Sequence, residues 1–489
     1  MALTKAMKKS MFDEFQIKGY WWLPNKEKEV AGILYYKHDE IELELLGSLN
    51  DAESMFDSFG SNKTKSDTSI ILGISDAGEK FTLLDSMNIK SNVSSGFSTE
   101  TYAVHLFLVG ANFTSKDDLL FHSFAIYPTY YNKWNAEAKY KPTHHLVDGR
   151  LGRIKGIDFS ESEMFSEYVH SISTKLEETN KTNMSGDIHE EVNWEYKGGI
   201  MVTPDEWQDI EWGKDMMSKI KDLFTLFIGF PIYYESITFY GKNKDVGNST
   251  FREKCQLFIE QKNVKIRSKF NWYDVTVRYG DIKDNLGQVF NLWFEKEEML
   301  KTVVNLYISD FYRDSYLETK FLNAVQTLEI YHRKVYDGKL FDEDDFEEYT
   351  SKVLSYVQEE MPDEFIKKMK GMLQHANEYS LSKRLRELIN QNLEKETKSY
   401  LFGNSDNRGK FVQQLVDTRN YLTHYDEGEK KNILKDGIQI YYAVQRLKAL
   451  ITLILFKEVG VDETIILDKF KENRHYTHSI LTAKEQLNN

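Results

Sequence analysis

Three side chains in the last fifth of the chain could together cleave RNA without a metal ion. Arg419 is followed directly by Asn420, and His424 comes five positions after the arginine. RNA carries its own nucleophile, the 2′-hydroxyl, so cleavage needs a base for that proton, an acid for the departing 5′-oxygen and a cation for the crowded phosphate. A free histidine, with a pKa of about 6.5, can perform either proton transfer. Arginine presents a fork that fits phosphate oxygens, and the asparagine can orient the phosphate or the imidazole.

The spacing of these residues is weak evidence when taken alone. With 13 arginines and 12 histidines in 489 residues, chance places a histidine five positions after an arginine about 0.3 times. On a straight helix the two side chains would point about 140° apart. A shared site therefore requires that the helix bends or ends between them, or that one subunit supplies Arg419 and another supplies His424. The alternative is a helix packing motif with a salt bridge to Asp417 or Asp426.

The elements that would position this stretch are helices. From about residue 286 onward, apolar residues recur at helical spacing, as in Leu317, Phe321, Val325 and Leu328. Similar patterns predict further helices over 363–374, 381–393, 410–415 and 437–458. We therefore predict that the C-terminal part of the chain is a helical bundle.

The preceding part of the chain has the pattern of strands. Residues 41–45 alternate isoleucine or leucine with glutamate, the period of a half-buried strand. The polar segment 177–187 is predicted to be a linker or an exposed loop. Thr203, Pro204 and Glu206 predict a helix start, because the threonine and glutamate can form a capping box and proline is tolerated at the first helical position.

These patterns together predict an α+β protein. Its N-terminal region is an antiparallel β-sandwich-like structure, and a C-terminal all-α helical bundle follows it. The predicted domains are a β-rich domain over 1–190, a mixed α/β extension over 191–285 and a helical domain over 286–489.

Composition favours a folded cytoplasmic protein. Cys255 is the only cysteine, so the chain can form neither an internal disulfide nor a multi-cysteine metal site. Residues 1–16 are polar and lack the apolar core of a signal peptide. The best apolar run, 449–456, is too short to span a bilayer. We find no dense cluster of Asp, Glu and His at metal-ligand spacing near the candidate site, which is therefore predicted to need no metal and no other cofactor.

Charge is unevenly distributed along the chain. The net charge is −14, which opposes binding to RNA phosphates, but residues 301–489 carry only −3. The acidic run 342–348 supplies −6, so the rest of that part is about +3 and able to meet RNA locally. The run itself suits a solvated loop or helix start. The candidate phosphate contacts are Arg384, Arg386, Arg408 and Lys410, for which a solvated face is the alternative.

The residues 419–424 resemble the RN-x-x-x-H signature of the HEPN superfamily of helical ribonucleases. The segment 317–333 is similar to a helix of the Apea-like branch, which ends in an aliphatic-Glu-x-x-His motif. Residues 17–24, 30–34 and 41–47 resemble the β domain that precedes the HEPN domain in such anti-phage proteins. This resemblance covers most of the chain.

The resemblance implies a metal-independent endoribonuclease that acts as a homodimer. Two HEPN domains would pair and bring two Arg–His motifs into one cleft, with products that carry a 2′,3′-cyclic phosphate or a 3′-phosphate. The implied role is abortive infection, in which the N-terminal region senses a phage-derived trigger and the HEPN pair cleaves host RNA. Transfer RNA is one candidate substrate, and no membrane is implied.

Two residues on the segment that resembles the Apea-like helix are predicted to support the site. Glu329 and His332 lie three positions apart and so share a helix face. They could line the cleft and orient the catalytic arginine or histidine. The alternative is a surface ion pair with Arg333 or Lys334.

Two tyrosines next to the motif are the remaining candidates. Tyr421 and Tyr425 could stack on RNA bases, or they could be core or interface aromatics. A second hypothesis for the whole protein is a non-catalytic phage-sensing or scaffold protein with a silent HEPN dimer. The two hypotheses differ at His424, whose replacement by alanine abolishes RNA cleavage only if the protein is a ribonuclease.

Overall fold

The fold is that of a computed structural model, which describes residues 5–49, 67–93, 98–136, 140–147, 150–159, 164–187, 189–246, 249–424 and 432–488. The chain forms two compact units, Met1–Gly287 and Gln288–Asn489. The described part of the first unit consists mainly of strands and that of the second consists mainly of helices. The predicted α+β class, β-rich first and helical last, is confirmed.

Sixteen strands lie in the described part of the first unit. They are β1 (Phe15–Trp22), β2 (Val30–Lys37), β3 (Glu40–Leu45), β4 (Asp67–Ser75), β5 (Lys80–Val93), β6 (Ser98–Val109), β7 (Leu120–Phe121), β8 (Ser123–Pro128), β9 (Tyr140–Val147), β10 (Arg150–Phe159), β11 (Ser166–Val169), β12 (Thr174–Asp187), β13 (Glu191–Pro204), β14 (Gln208–Asp209), β15 (Tyr234–Val246) and β16 (Ser249–Ile259). Twelve of them form one antiparallel sheet, while β9 pairs with β10 and β7 pairs with β14.

Six strands of the large sheet close into a barrel. Their order is β6–β3–β2–β1–β4–β5, and β5 pairs again with β6. The strand β6 pairs with β3 through residues 100–103 and with β16 through residues 106–109. It therefore closes the barrel and also continues the sheet through β16, β15, β8, β13, β12 and β11. The sequence predicted an antiparallel, sandwich-like β region. The strands are antiparallel, but they form a barrel with a continuing sheet and not two stacked sheets.

Alternate residues of the strands fill the barrel. In β2, Val30, Leu34 and Tyr36 are buried. Trp21 of β1 is fully buried and covers Gly73 of β4, where an added Cβ would lie 2.3 Å from the indole ring. Only glycine leaves room for the indole at this position.

Two local predictions in the first unit are wrong. The segment 177–187 belongs to β12, which pairs with β13 along its whole length. Its seven exposed residues from Lys181 to Asp187 explain the polar sequence that suggested a loop. Pro204 ends β13 and does not begin a helix, because this backbone pairs with β12. The helix begins at Ile210, where the side chain of Asp209 accepts from the N–H of Trp212 at 2.8 Å.

Fourteen α-helices lie in the described residues. They are α1 (Tyr131–Asn135), α2 (Ile210–Ile228), α3 (Tyr279–Ile282), α4 (Leu286–Glu295), α5 (Glu297–Tyr312), α6 (Leu317–Val335), α7 (Glu343–Glu360), α8 (Asp363–Leu373), α9 (Leu381–Gln391), α10 (Lys395–Phe402), α11 (Ser405–His424), α12 (Gly437–Glu458), α13 (Glu463–Glu472) and α14 (Arg474–Asn488). The acidic run 342–348 begins α7, where carboxylates suit the positive end of the helix dipole.

The core helix of the second unit is α12, which the sequence predicted with the same bounds. It is the one described helix that is long and apolar enough to cross a membrane, but 67% of its most apolar window is buried inside the protein. It packs against α6 and α14. Burial against these helices accounts for its apolar composition.

The helix predicted over 410–415 is much longer than expected. The helix α11 spans twenty residues and includes the whole segment 419–424. Its buried face includes Gln414, Asp417 and Thr418 as well as apolar residues, so hydrophobic periodicity marked only a short part of it. The candidate catalytic residues therefore lie on one regular element.

Candidate functional site

Arg419, Asn420 and His424 lie in the last turns of α11. The guanidinium of Arg419 donates from Nη1 to Oδ1 of Asn420 at 3.2 Å, and Thr423 donates from its hydroxyl to the carbonyl oxygen of Arg419 at 2.7 Å. Asn420 and His424 are four positions apart and share a helix face. The helix continues through both Arg419 and His424, so it does not end between them, and regular helical geometry separates their side chains by about 140°.

Among the described residues, Arg419 has an acidic partner on another helix. Nη2 of Arg419 lies 4.0 Å from Oε2 of Glu329 on α6, and the arginine side chain is 38% exposed. Asp417, the partner considered in the packing alternative, is buried and instead accepts from Gln413 at 2.9 Å and from Asn432 at 3.5 Å. The guanidinium is therefore held on one side and remains accessible to an anion.

Thr418, the residue before the motif, is anchored by Leu434 in the segment that precedes α12. Thr418 is fully buried, and its hydroxyl oxygen accepts from the main-chain N–H of Leu434 at 2.9 Å. Tyr421 is half-buried and lines a cavity of about 500 Å³ together with Leu434 and Tyr316. Base stacking and packing therefore both remain predictions for Tyr421, and Tyr425 and Asp426 lie outside the described residues.

Glu329 contacts two arginines at once. Besides Arg419, it accepts from Nη2 of Arg333 at 3.2 Å, four positions along α6. The predicted contact with the candidate catalytic arginine and the predicted ion pair with Arg333 are thus both present. The carboxylate balances two positive charges beside the motif, which lowers their mutual repulsion.

His332 does not line an open cleft, and this part of the prediction is corrected. It is fully buried, and its Nδ1 lies 3.1 Å from Nη1 of Arg384 while its Nε2 lies 2.8 Å from Oε2 of Glu387. Because a guanidinium can only donate, Nδ1 must accept, and the proton lies on Nε2 and points to Glu387. Burial lowers the pKa of His332, and the two neighbouring arginines act in the same direction. The neutral imidazole joins α6 to α9.

Two family models match this chain. The model ApeA N-terminal domain 1 matches residues 16–293, which is more than half of the chain, and the model Apea-like HEPN matches residues 322–465. The chain belongs to the ApeA family. Comparisons with curated proteins and with solved structures gave no match.

The HEPN match of this ApeA-family chain contains all the described candidate residues of the site. HEPN domains are generally ribonucleases that act on RNA and form dimers, and ApeA-type proteins have an anti-phage role. At the level of the family, the chain is therefore a nuclease-like protein of phage defence. No group of three or more metal-ligating side chains occurs within the described residues.

The four predicted RNA contacts of this ApeA-family chain differ in exposure: Arg384 is buried, whereas Arg386, Arg408 and Lys410 are at least partly exposed. Arg384 is 2% exposed, and its Nε donates to the carbonyl of Tyr379 at 3.0 Å. A guanidinium enclosed in this way cannot reach RNA, so Arg384 is withdrawn from the predicted contacts. It is a structural residue, and its neighbour Arg386 is exposed.

The other two predicted contacts have structural bonds as well. Arg408 donates from Nε to Oδ1 of Asn390 at 3.1 Å and from Nη1 to the carbonyl of Gly403 at 3.1 Å. Lys410 lies 3.5 Å from a main-chain carbonyl of α14. Both side chains are half-buried, whereas Arg386 has the most open position of the predicted set.

A series of alternating charges extends from Arg419 through Glu329 and Arg333, and its further members were not predicted from the sequence to belong to it. Glu378 forms an ion pair with Arg333 and lies 3.6 Å from Nη2 of Arg384. Together with Glu329 this connects the candidate catalytic arginine to the buried interior of the ApeA-family HEPN domain. The spacing of Glu329 and Arg333 on one helix was visible in the sequence. Glu378 and Glu387 lie on other segments, and no local pattern marks them.

Proposed function

We propose that this protein is a metal-independent endoribonuclease that cleaves host RNA during phage infection. The observation that supports it best is the geometry of Arg419. Its partly exposed guanidinium is oriented by Asn420 and Glu329, and the exposed His424 follows on the same helix. RNA cleavage by the 2′-hydroxyl requires a cation, a base and an acid; Arg419 supplies the oriented cation, and His424 imidazoles can supply the base and the acid.

The proposed reaction uses only these side chains and the RNA. One His424 imidazole accepts the proton of the 2′-hydroxyl, and the 2′-oxygen attacks the adjacent phosphorus. A second, protonated imidazole donates a proton to the departing 5′-oxygen. The guanidinium of Arg419 stabilises the negative charge that develops on the phosphate. The products are a 2′,3′-cyclic phosphate, which water can open to a 3′-phosphate, and a 5′-hydroxyl.

We further propose that two subunits form the working site. On a regular helix Arg419 and His424 point about 140° apart, so one phosphate is not easily reached by both from a single subunit. A homodimer that pairs two α11 helices would bring each arginine near the partner's histidine. Such pairing also provides two imidazoles, one for each proton transfer.

We also propose how the RNA substrate binds and how the first unit controls its cleavage. Host RNA, for example transfer RNA, would approach along the surface that carries Arg386, Arg408 and Lys410. The first unit would sense a phage-derived trigger in the cytoplasm and release the activity of the HEPN pair. The net charge of −14 supports a need for such assistance, because an acidic protein attracts RNA poorly on its own.

The proposal is tested with wild-type protein, His424→Ala and the control His375→Ala. His375 is an exposed histidine of the same unit, with 78% of its side chain accessible. Each protein is mixed with total cellular RNA in EDTA, with and without extract of phage-infected cells, and the RNA is run on a denaturing gel. Fragments from the wild type and the control alone are expected. Cleavage by a folded His424→Ala protein would exclude the proposed role of His424, and intact RNA in every lane would favour the non-catalytic alternative.

The two-subunit arrangement has its own test. Arg419→Ala and His424→Ala should each be inactive alone. After the two variants are unfolded and refolded together, mixed dimers keep one intact arginine opposite one intact histidine. Slow cleavage should return, because the single imidazole serves one proton transfer and water must serve the other. If each site lies within a single subunit, no mixture restores cleavage.

A further inference from the structure

A cleft in the first unit is rich in lysine. It has a volume of about 710 Å³ and is lined by Lys8, Lys9, Lys181, Lys197 and Lys254. Among the described residues of the lining, two are acidic, Glu195 and Glu235. The cleft is thus locally positive in a chain of net charge −14. Its volume lies in the range of about 300–1,000 Å³ that small-molecule sites occupy.

Two of these lysines lie directly opposite each other in the sheet. Lys181 of β12 is paired with Lys197 of β13. Like charges in this position destabilise a sheet unless other groups balance them. Lys197 is balanced, since its ammonium lies 3.0 Å from Glu235 and 3.2 Å from Glu195. Both glutamates of the lining are therefore used by one lysine.

Lys181 and Lys254 are left with neutral partners among the described residues. The ammonium of Lys181 donates to the hydroxyl of Ser236 at 2.9 Å and lies 4.1 Å from the centre of the Tyr127 ring. The ammonium of Lys254 lies 5.7 Å from the centre of the Tyr240 ring. These contacts orient the two ammonium groups without neutralising them.

The position of Lys181 in this cleft makes it easier to deprotonate. Its side chain is open to the cleft, but the walls reduce the hydration of its ammonium, and this lowers its pKa to about 8. The positive charges of Lys197 and Lys254 act in the same direction, and Glu235 opposes them. An anion in the cleft would remove the repulsion and raise the pKa of Lys181 again.

We propose that this cleft binds a compact phosphorylated ligand of about nucleotide size. Lysine ammonium groups are strong partners for phosphate oxygens, and several of them here converge on one volume. The hydroxyls of Ser236 and Thr238 in the lining can add hydrogen bonds. A long RNA strand fits less well, because residues 1–300 carry a net charge of −11 and would repel it beyond the cleft.

The test compares the full-length wild type with two double variants. Lys181→Gln/Lys254→Gln removes the two strand lysines of the cleft that have neutral partners among the described residues. Lys37→Gln/Lys90→Gln removes the same charge at exposed positions outside the cleft. Isothermal titration calorimetry is performed with ATP and with inorganic tripolyphosphate at pH 8, in two buffers that differ in ionisation enthalpy. Circular dichroism verifies that all proteins are folded.

The wild type and the control should bind one equivalent of ATP, and the cleft variant should bind about tenfold more weakly. Binding should take up protons in the wild type, because the pKa of Lys181 rises, and the uptake should decrease in the cleft variant. Equal affinity for ATP and tripolyphosphate would show that phosphate alone is recognised, whereas tighter ATP binding would show recognition of the nucleoside.

Three results would overturn the proposal. They are the absence of saturable binding of either probe, equal binding by both double variants, and displacement of ATP by a 20-nucleotide RNA that binds more tightly. The last result would replace the compact ligand by a nucleic acid strand. None of these outcomes depends on ribonuclease activity, since the altered lysines lie outside the HEPN match.

Discussion

The carboxylate of Glu329 on α6 lies 4.0 Å from the guanidinium of Arg419 on α11. This distance permits attraction but is too long for a strong hydrogen bond. The carboxylate also bonds to Arg333, which holds it in place. Arg419 is thus oriented by a fixed charge that an RNA phosphate can outcompete. We therefore predict a positioning role for Glu329, which kinetics can separate from a role in binding.

Glu329→Gln should lower kcat for RNA cleavage by about three- to tenfold, which corresponds to ~1 kcal/mol of transition-state stabilisation. The guanidinium would then be oriented by Asn420 alone. KM should not increase, because the substitution removes a negative charge near the bound phosphate. Steady-state cleavage of a defined RNA measures both constants. Glu298→Gln, at an exposed position on α5, is the control and should have the kcat of the wild type. If Glu329→Gln also has the kcat of the wild type, the positioning role is excluded.

Arg384→Ala should destabilise the helical unit by roughly 3–5 kcal/mol, because it leaves Nδ1 of His332 and the buried carbonyl of Tyr379 without a donor and removes one of the two arginines beside Glu378. Urea unfolding followed by circular dichroism measures the change. The adjacent exposed Arg386→Ala is the matched control and should change stability by less than about 0.5 kcal/mol. Similar stability of the two variants would contradict the structural role of Arg384.

Arg386→Ala should in turn weaken RNA binding while the fold is retained. Removal of one phosphate contact should reduce the slope of log K against log salt concentration by about 1, and it should do so with RNAs of different sequence. Fluorescence anisotropy with the non-cleaving His424→Ala protein as background measures this. An unchanged slope would assign Arg386 to the solvated surface.

The buried His332 should make stability depend on pH. Its pKa is lowered in the folded protein, so the unfolded chain takes up the proton at higher pH. Its contribution is therefore complete above pH ~6.5 and is lost as the pH falls through the lowered folded value. His332→Gln preserves a donor and an acceptor but does not titrate. The difference in Tm between pH 7.5 and pH 5.0 should be smaller in this variant than in the wild type, and an equal difference would refute the assignment.

Elements with a regular pattern of buried side chains could be predicted from the sequence. Segments whose structure depends on backbone pairing without such a pattern could not. The helix α12 was predicted with its bounds because its apolar residues are buried among other helices. The strand β12 was missed because its outer half is exposed on both faces, so no alternation marks it. At Pro204 a plausible capping box was overridden by pairing with Thr174, a partner thirty residues earlier.

The candidate site follows the same division. Arg419, Asn420 and His424 could be named as candidates because their chemistry and their resemblance to a motif lie within one short segment. Glu378 and Glu387 contact their partners across 45 and 55 residues, and only the folded chain brings them together. Arg384 was misassigned because a charged residue is expected at the surface unless such partners are known.

The double use of β6 also sets an order of events during synthesis on the ribosome. All six strands of the barrel are complete once residue 109 has been made, so the barrel can close while most of the chain is still missing. The second half of β6 must then wait for β16, about 150 residues later, before its other edge is covered. During this interval the nascent protein presents an unpaired strand edge, which is the kind of surface that chaperones protect from aggregation.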